Sequence, residues 1–523
     1  MQFVHFAIAV TSLVRWNSSG QHWNPALSEN SGKLGLSTKI AFGFGQLGEA
    51  LFMGLTIAFI PIFYNQAVGL SAELVGAALF VGIFADAISD PLIGSISDRW
   101  RSKRFGRRHP FLFVSAPPLA LCLYMLFQPP AALIAIPIGE TLPDQWPLFA
   151  WMTTWLLLGR FFMTLYIIPH LALGAELSTD YDERASVFSY NAMFGFFFGP
   201  MIAFIAWTFF FAGEGIRVSD GALVAGQLNP AKYQGIAILA AIGIVIGVWI
   251  CAGFTLSQVK RLPQPPADLP PFRFSTVFVE VYEAFRNKSY LMLMLGYFCL
   301  SLTLGHAEST NTIIFTFFWE LEPSQIRWFS FFATVGFVAG AFMAPFLIKL
   351  IQKRPLVIIG VVGYGLIHPA PYLLRMAGLW PENGAEALLP MLLVWTVLAT
   401  WCLAALNVCV MSMLADLVDE HQLTSGRRQE GIFFSARIFF AKASNSVASL
   451  LAGITLAYYA QLPPNSIPGS LDNDILSRMG LLVVLFSIGA LVAGWFYSRY
   501  ALDKGRVMEI QQELADRARA NSA

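Results

Sequence analysis

Long apolar runs, each about the length needed to cross a bilayer as a helix, recur along nearly the whole chain. They fall at 38–65, 71–97, 111–136, 147–177, 186–212 and 234–257, then at 289–318, 326–351, 355–376, 388–418, 431–460 and 479–502. The pattern predicts an all-α membrane protein with twelve transmembrane helices in two bundles of six, 38–257 and 289–502. A proline-rich connector at 258–288 separates them, and its stretch 274–286 has the pattern of a short amphipathic helix at the membrane surface. Residues 1–37 read as a flexible extension and 503–523 as a polar tail.

Composition supports the same class. The 523 residues are 56% hydrophobic and 12% charged, about half the charged share usual for a soluble protein. A formal net charge of +1 gives no reason to expect a nucleic-acid partner. Five cysteines, all in apolar runs, do not make a disulfide framework, and seven scattered histidines lack zinc-ligand spacing. No cluster of catalytic groups gathers at one interface, so an enzyme has no support in the sequence. Basic residues concentrate in alternate loops: Arg99–Arg108, Lys260, Arg261, Lys349, Lys353, Arg354, Lys504 and Arg506 lie on one side. The other side holds only Arg217, Lys232, Arg327, Arg375 and Arg478, so the basic side and both termini are expected in the cytoplasm.

The chemistry concentrates in the second apolar run, where Phe84-Ala85-Asp86-Ala87-Ile88-Ser89-Asp90-Pro91 places two carboxylates four residues apart, on one helical face. Taking Arg99 as the water interface, the rise of ~1.5 Å per residue sets Asp90 about 13 Å and Asp86 about 20 Å into a ~30 Å hydrocarbon core. A charge there costs at least about 3 kcal/mol, so such residues usually face a cavity and serve ions or substrates. Two acids this close repel unless one is protonated or a cation sits between them. The competing reading is a buried structural pair. Arg160 and Arg437, also inside apolar runs, are expected to be members of internal ion pairs whose partners the sequence does not choose.

The two halves echo each other. Ala175-Glu176-Leu177, Arg184 and Phe188 find counterparts in Ala415-Asp416-Leu417, Arg428 and Phe434, at offsets of 240, 244 and 246 residues. A duplicated six-helix unit is a hallmark of secondary transporters. The repeat fails at the acids, because Gly340 and Ala344 stand opposite Asp86 and Asp90 when Pro345 is aligned with Pro91.

Gly94-x-x-x-Asp98-Arg99 followed by Gly106-Arg107-Arg108 resembles the loop signature of the major facilitator superfamily. Asp86-Ala87-x-x-Asp90-Pro91-x-x-Gly94 is similar to the motif of its glycoside–pentoside–hexuronide:cation symporters, and Gly43-Phe44-Gly45, Pro169, Asp182-Glu183-Arg184 and Ala415-Asp416-Leu417-Val418-Asp419 support the match. The resemblance covers 38–502 and implies the pseudo-symmetric major facilitator fold. It implies a cation site at Asp86, Ser89, Asp90 and Thr164, oxygen ligands suited to Na⁺ or, through a carboxylate, to H⁺. It also implies a coupling role for Lys442. The loop residues Gly94, Asp98, Arg99, Gly106, Arg107 and Arg108 divide between a gating role and plain topogenic charge. The places where family members grip a galactosyl unit hold Ala50, Ile167 and Ala192, so that specificity does not carry over. Candidate solute ligands are Glu49, His170, Asn191, His306 and Glu308, with the two histidines more often satisfied interior groups. The function expected is cation-coupled symport of a sugar or glycoside through a multi-pass inner membrane protein. Lysolipid carriers, which share the paired-acid motif and have an acid near Glu308, are the alternative. The expected partners are the bilayer and a small solute, with no cofactor beyond the coupling ion, and the carrier is expected to act as a monomer.

Overall fold

The computed structural model describes residues 34–102, 104–134, 144–178, 180–217, 221–262, 285–425, 430–502 and 504–522. Most of the N-terminal extension and most of the expected amphipathic stretch 274–286 lie outside the described residues. Among the described residues, twelve helices are long and apolar enough to cross a membrane: α1 Leu36–Ala67, α2 Ala72–Arg99, α3 His109–Leu126, α4 Trp146–Glu176, α5 Asp182–Phe210, α6 Pro230–Arg261, α7 Lys288–Phe318, α8 Pro323–Ile351, α9 Lys353–Met376, α10 Leu388–Leu423, α11 Ala436–Tyr459 and α12 Asn473–Ser498. Helices are the expected solution, because hydrocarbon offers no partner to a backbone N–H or C=O. The observed bounds follow the apolar runs within a few residues, with two clear departures. The third helix stops at Leu126 rather than near 136, because Pro129 and Pro130 supply no N–H to continue it, and the chain goes on as a single 3₁₀ turn, Ala131–Leu133. The tail forms a further helix, α13 Lys504–Ser522, docked through buried Ile510 and through Arg517, whose Nη1 donates to the Leu423 carbonyl at 2.9 Å.

The chain divides into two compact units. One comprises α1–α6 together with Glu308–Ser330 and Ser449–Ile475; the other holds Phe331–Ala448, Leu476–Ala523 and the first part of α7. The break therefore does not fall only at the connector, since the ends of α7 and α11 remote from the basic loops group with the first six helices.

The repeat is visible in how helices end. The last turns of α1 and α7, Phe63–Ala67 and Ile314–Phe318, widen to π geometry 251 residues apart. The last turns of α5 and α11, Ala206–Phe210 and Thr455–Tyr459, do so 249 apart. After α1 the Val68 N–H donates to Phe63 and the Leu70 N–H to Tyr64; after α7, Trp319 and Leu321 donate to Ile314 and Phe315 in the same pattern. The residue between, Gly69 or Glu320, takes positive φ (87° and 49°), which closes the helix by satisfying its last carbonyls.

Inside the first unit, this end of the bundle is sealed by rings and by one arginine. Phe59, Phe63, Phe127, Phe211 and Tyr233 pack with centroids 4.6–6.2 Å apart. A short hairpin, β1 Glu214–Ile216 and β2 Leu223–Ala225, which the sequence reading did not anticipate, delivers Arg217 inward. Arg217 is 1% exposed, and its guanidinium donates to the carbonyls of Gln66 at 3.2 Å and Asn465 at 2.8 Å. Gln66 completes the connection by donating to Pro463 O at 3.1 Å and accepting from Ser466 N at 2.9 Å. Replacing Arg217 with methionine keeps the length but leaves one buried carbonyl, that of Gln66, and one part-buried carbonyl, that of Asn465, without these donors. At about 1–3 kcal/mol each, Arg217→Met is expected to cost roughly 3 kcal/mol of unfolding free energy. Denaturant unfolding of the detergent-solubilised protein measures it, and a change within about 0.5 kcal/mol, the range of an ordinary surface substitution, would refute it.

Candidate functional site

Helices α2 and α4 run against each other and bring the predicted acids onto α4. Asp86 faces Arg160: Nη1 of the arginine donates to Oδ2 at 2.9 Å, and both side chains are 4% exposed. One turn along, Thr164 donates its hydroxyl to Asp90 Oδ1 at 2.9 Å and accepts from the Ser89 hydroxyl at 3.2 Å. Because Asp86 and Asp90, like Arg160 and Thr164, are four residues apart, the two contacts form successive rungs about 6 Å apart. Pro91, which follows Asp90, has no N–H to return to the Ala87 carbonyl, so one further oxygen on this helix lacks its ordinary intrahelical partner. Asp86, Ser89, Asp90 and Thr164 thus assemble as one cluster. The sequence predicts that the acids repel unless one is protonated or a cation lies between them; a cation resident in the protein, Arg160, sits on Asp86.

Lys442 is buried on α11 in the other unit. Among the described residues no group of three or more His, Cys, Asp or Glu side chains has metal-binding geometry.

Three of the solute candidates belong to a single buried chain of hydrogen bonds across α1, α4, α5 and α6. Cys251 Sγ lies 3.5 Å from His170 Nδ1, and His170 Nε2 lies 3.0 Å from Asn191 Oδ1. Asn191 donates to Gln46 Oε1 at 2.9 Å, and Gln46 donates to a Glu49 oxygen at 2.6 Å. A His170 carrying its proton on Nε2 makes every donor point the same way, from the thiol toward the Glu49 carboxylate, an arrangement in which successive bonds polarise one another. His170 is fully buried and stacked between Phe42 (4.4 Å) and Tyr166 (5.3 Å). The motif Gly43-Phe44-Gly45 permits this packing. Helix α1 breaks at Gly45, whose carbonyl accepts from Tyr166 at 2.5 Å, and a Cβ there would stand 2.8 Å from the His170 ring. His306 is an interior group as well, stacked on Phe486 at 3.6 Å and 2% exposed. Glu308 alone of the five is exposed, although it lies ten residues before the end of α7, about 15 Å along the helix. A carboxylate at that depth belongs in a hydrated cavity rather than in lipid.

The basic loop forms a network rather than a free array of charges. Glu176, at the end of α4, accepts from Arg108 at 2.7 Å and Arg107 at 2.8 Å; Arg108, 4% exposed, also binds Asp98 at 2.5 Å and Ser97 at 2.7 Å. Gly106 makes the turn with φ of 64°. A Cβ added at Gly94 would meet Ile168 at ordinary van der Waals distance, and Arg99 bonds to Ser95. Inside the second unit Asp416, the counterpart of Glu176 in the repeat, binds Lys353 at 2.6 Å. Glu176 and Gln46 are functional-region residues that the sequence reading assigned no role. For Glu176 a signal existed, since an acid that recurs as Asp416 beside a basic loop in both halves calls for an ion pair.

Twelve spans, the duplicated helix ends and the paired acid–base loops define a secondary transporter of the major facilitator class. Residues 41–504 match the MFS/sugar transport protein family, and the chain belongs to it. It is 25% identical to an uncharacterised symporter of Synechocystis sp. (94% of this chain, 98% of the relative). It is 21% identical to an inner membrane symporter of Escherichia coli (91% and 95%) and 21% identical to the sodium-dependent lysophosphatidylcholine symporter 1 of Gallus gallus (95% and 93%). In fold it is similar to the D-xylose–proton symporter, with a TM-score of 0.57 at 14% identity over 89% of this chain and 96% of that one. A bacterial homologue of the lysosomal transporter Spinster in an inward-facing state gives a TM-score of 0.60 at 13% identity over 88% and 95%. The family and fold are those of transporters, not enzymes.

Proposed function

We propose that the chain imports a sugar or glycoside by cation-coupled symport, as a multi-pass inner membrane protein with its basic loops and both termini in the cytoplasm. The observation that carries this reading is the cluster of Asp90, Thr164, Ser89 and the Asp86–Arg160 pair, an ionic site in a helix pair at hydrocarbon depth. The coupling ion is taken up at Asp90, and only the fully loaded or the empty carrier exchanges between its two faces, which ties solute flux to ion flux. Glu308, exposed at mid-helix, is the solute ligand the geometry favours among the five candidates. The same residue motivates the second reading, a carrier of lysolipids, toward which the lysophosphatidylcholine symporter also points.

The test is uptake into sealed liposomes holding the purified protein, with xylose, sulfoquinovose, methyl glycosides and lysophosphatidylcholine offered under imposed Na⁺ and proton gradients. Concentration of a sugar or glycoside under one of the two gradients is the expected result. Movement of lysophosphatidylcholine alone transfers the assignment to the second reading, and sugar flux indifferent to both gradients overturns coupling.

A further inference from the structure

We propose that Arg160 is a specificity-determining residue: it serves as a built-in cation on Asp86 and keeps Na⁺ out of the cluster. This goes beyond the symport reading above and rests on it only in taking the cluster as the place where the coupling ion is handled.

Three observations carry the proposal. First, the guanidinium is bonded to Asp86 at 2.9 Å with both side chains 4% exposed, so water and salt do little to loosen the pair. The planar fork of an arginine suits a carboxylate and the side chain is part of the protein, so the pair does not come and go as a bound ion does. Second, the two rungs are adjacent. A second cation entering between Asp86 and Asp90 would stand within about 6 Å of the guanidinium and be repelled by it. Third, Ser89 and Thr164 contribute neutral hydroxyls, the first donating to the second and the second to Asp90, so with Asp86 held by the arginine the negative charge left to attract a hard metal cation is that of one carboxylate. The two acids and Arg160 together sum to one negative charge instead of two. Arginine and aspartate therefore divide the site: one acid is neutralised by the protein, and the other serves the exchangeable ion.

The inference is tested by saturable binding of ²²Na⁺ to the purified carrier, without solute. The unmodified protein and Arg160→Lys, which preserves the ion pair, are expected to show none at millimolar Na⁺. Arg160→Gln takes the positive guanidinium off Asp86 and should gain one saturable site, with affinity at least about tenfold above that of the unmodified protein. The double variant Asp86→Asn with Arg160→Gln removes both charges and should lose the gained site, which assigns it to Asp86. Saturable binding to the unmodified protein overturns the inference whether or not any variant folds, and so does a monodisperse Arg160→Gln protein that gains nothing. Neither result touches symport itself, which fails separately if gradient-driven uptake is absent.

Discussion

Asp90→Asn leaves the carrier folded and able to exchange solute across the membrane, but unable to concentrate it: the accumulation ratio falls to one under either ion gradient. The amide has the shape of the carboxylate, and its Oδ1 still accepts the Thr164 hydroxyl that Asp90 accepts at 2.9 Å, so packing changes little. What disappears is the charge at which the coupling ion is proposed to bind. At an effective dielectric constant of ~20, a unit charge about 4 Å away contributes about 4 kcal/mol, close to a thousandfold in ion affinity. Solute counterflow at equal ion concentrations, measured beside gradient-driven uptake, separates loss of coupling from loss of the protein. Retained accumulation would remove Asp90 from the mechanism. Asp86→Asn fails for another reason, since it strands the buried Arg160 and destabilises the protein by about 3–5 kcal/mol, as expected when one member of a buried pair is lost. The motif's two acids are therefore not interchangeable, although the sequence presents them as a symmetrical pair.

That asymmetry marks the limit of what the sequence reveals. The spans were legible because each needs a long apolar run, and that signal is strong and local. Asp86, Ser89, Asp90 and Thr164 were legible because acids in such a run demand an explanation, and the family motif names the helix that answers them. The partner of Arg160 was not legible, because 74 residues separate it from Asp86 and only the packing of α4 on α2 selects that acid from the others. The chain from Cys251 to Glu49 was hidden for the same reason: its members come from four helices, and no spacing along the sequence links them. Its effect on the reading of the site is direct, since it explains why two polar residues in the interior, His170 and Asn191, need no solute to satisfy them. The π turns were hidden because they are fixed by the bonds at helix ends, not by a distinctive set of residues: Phe-Tyr-Asn-Gln-Ala and Ile-Phe-Thr-Phe-Phe share little yet close α1 and α7 alike.

Gly453→Leu is expected to stop solute release to the cytoplasmic side almost completely, lowering uptake about a hundredfold or more while solute still reaches the site from outside. Gly453 on α11 and Gly76 on α2 lie within the first unit, where the two backbones touch. A Cβ on Gly453 would meet the Ala72 carbonyl at 2.3 Å and Gly76 Cα at 2.9 Å, and one on Gly76 would meet the Ser449 carbonyl at 2.8 Å. These obstacles are backbone, which cannot swing aside as a flexible side chain would. Even one surplus methylene in a packed interior costs about 1–3 kcal/mol, and leucine brings four carbons, so a penalty above about 3 kcal/mol falls on the closed arrangement alone. An equilibrium between closed and open forms then moves by more than about a hundredfold, since each 1.4 kcal/mol is a factor of ten. In the orientation proposed here this contact lies at the outer end, so the variant is held open to the outside. Asn65, 1% exposed beside the same contact, reports the change. With Asn65→Cys as the only cysteine, an impermeant maleimide added outside should label the Gly453→Leu protein rapidly and leave its glycine parent protected. Normal uptake together with a protected Cys at that position would mean that the α2–α11 contact does not gate the carrier, and Gly453→Ala, with one carbon added, should fall between the two.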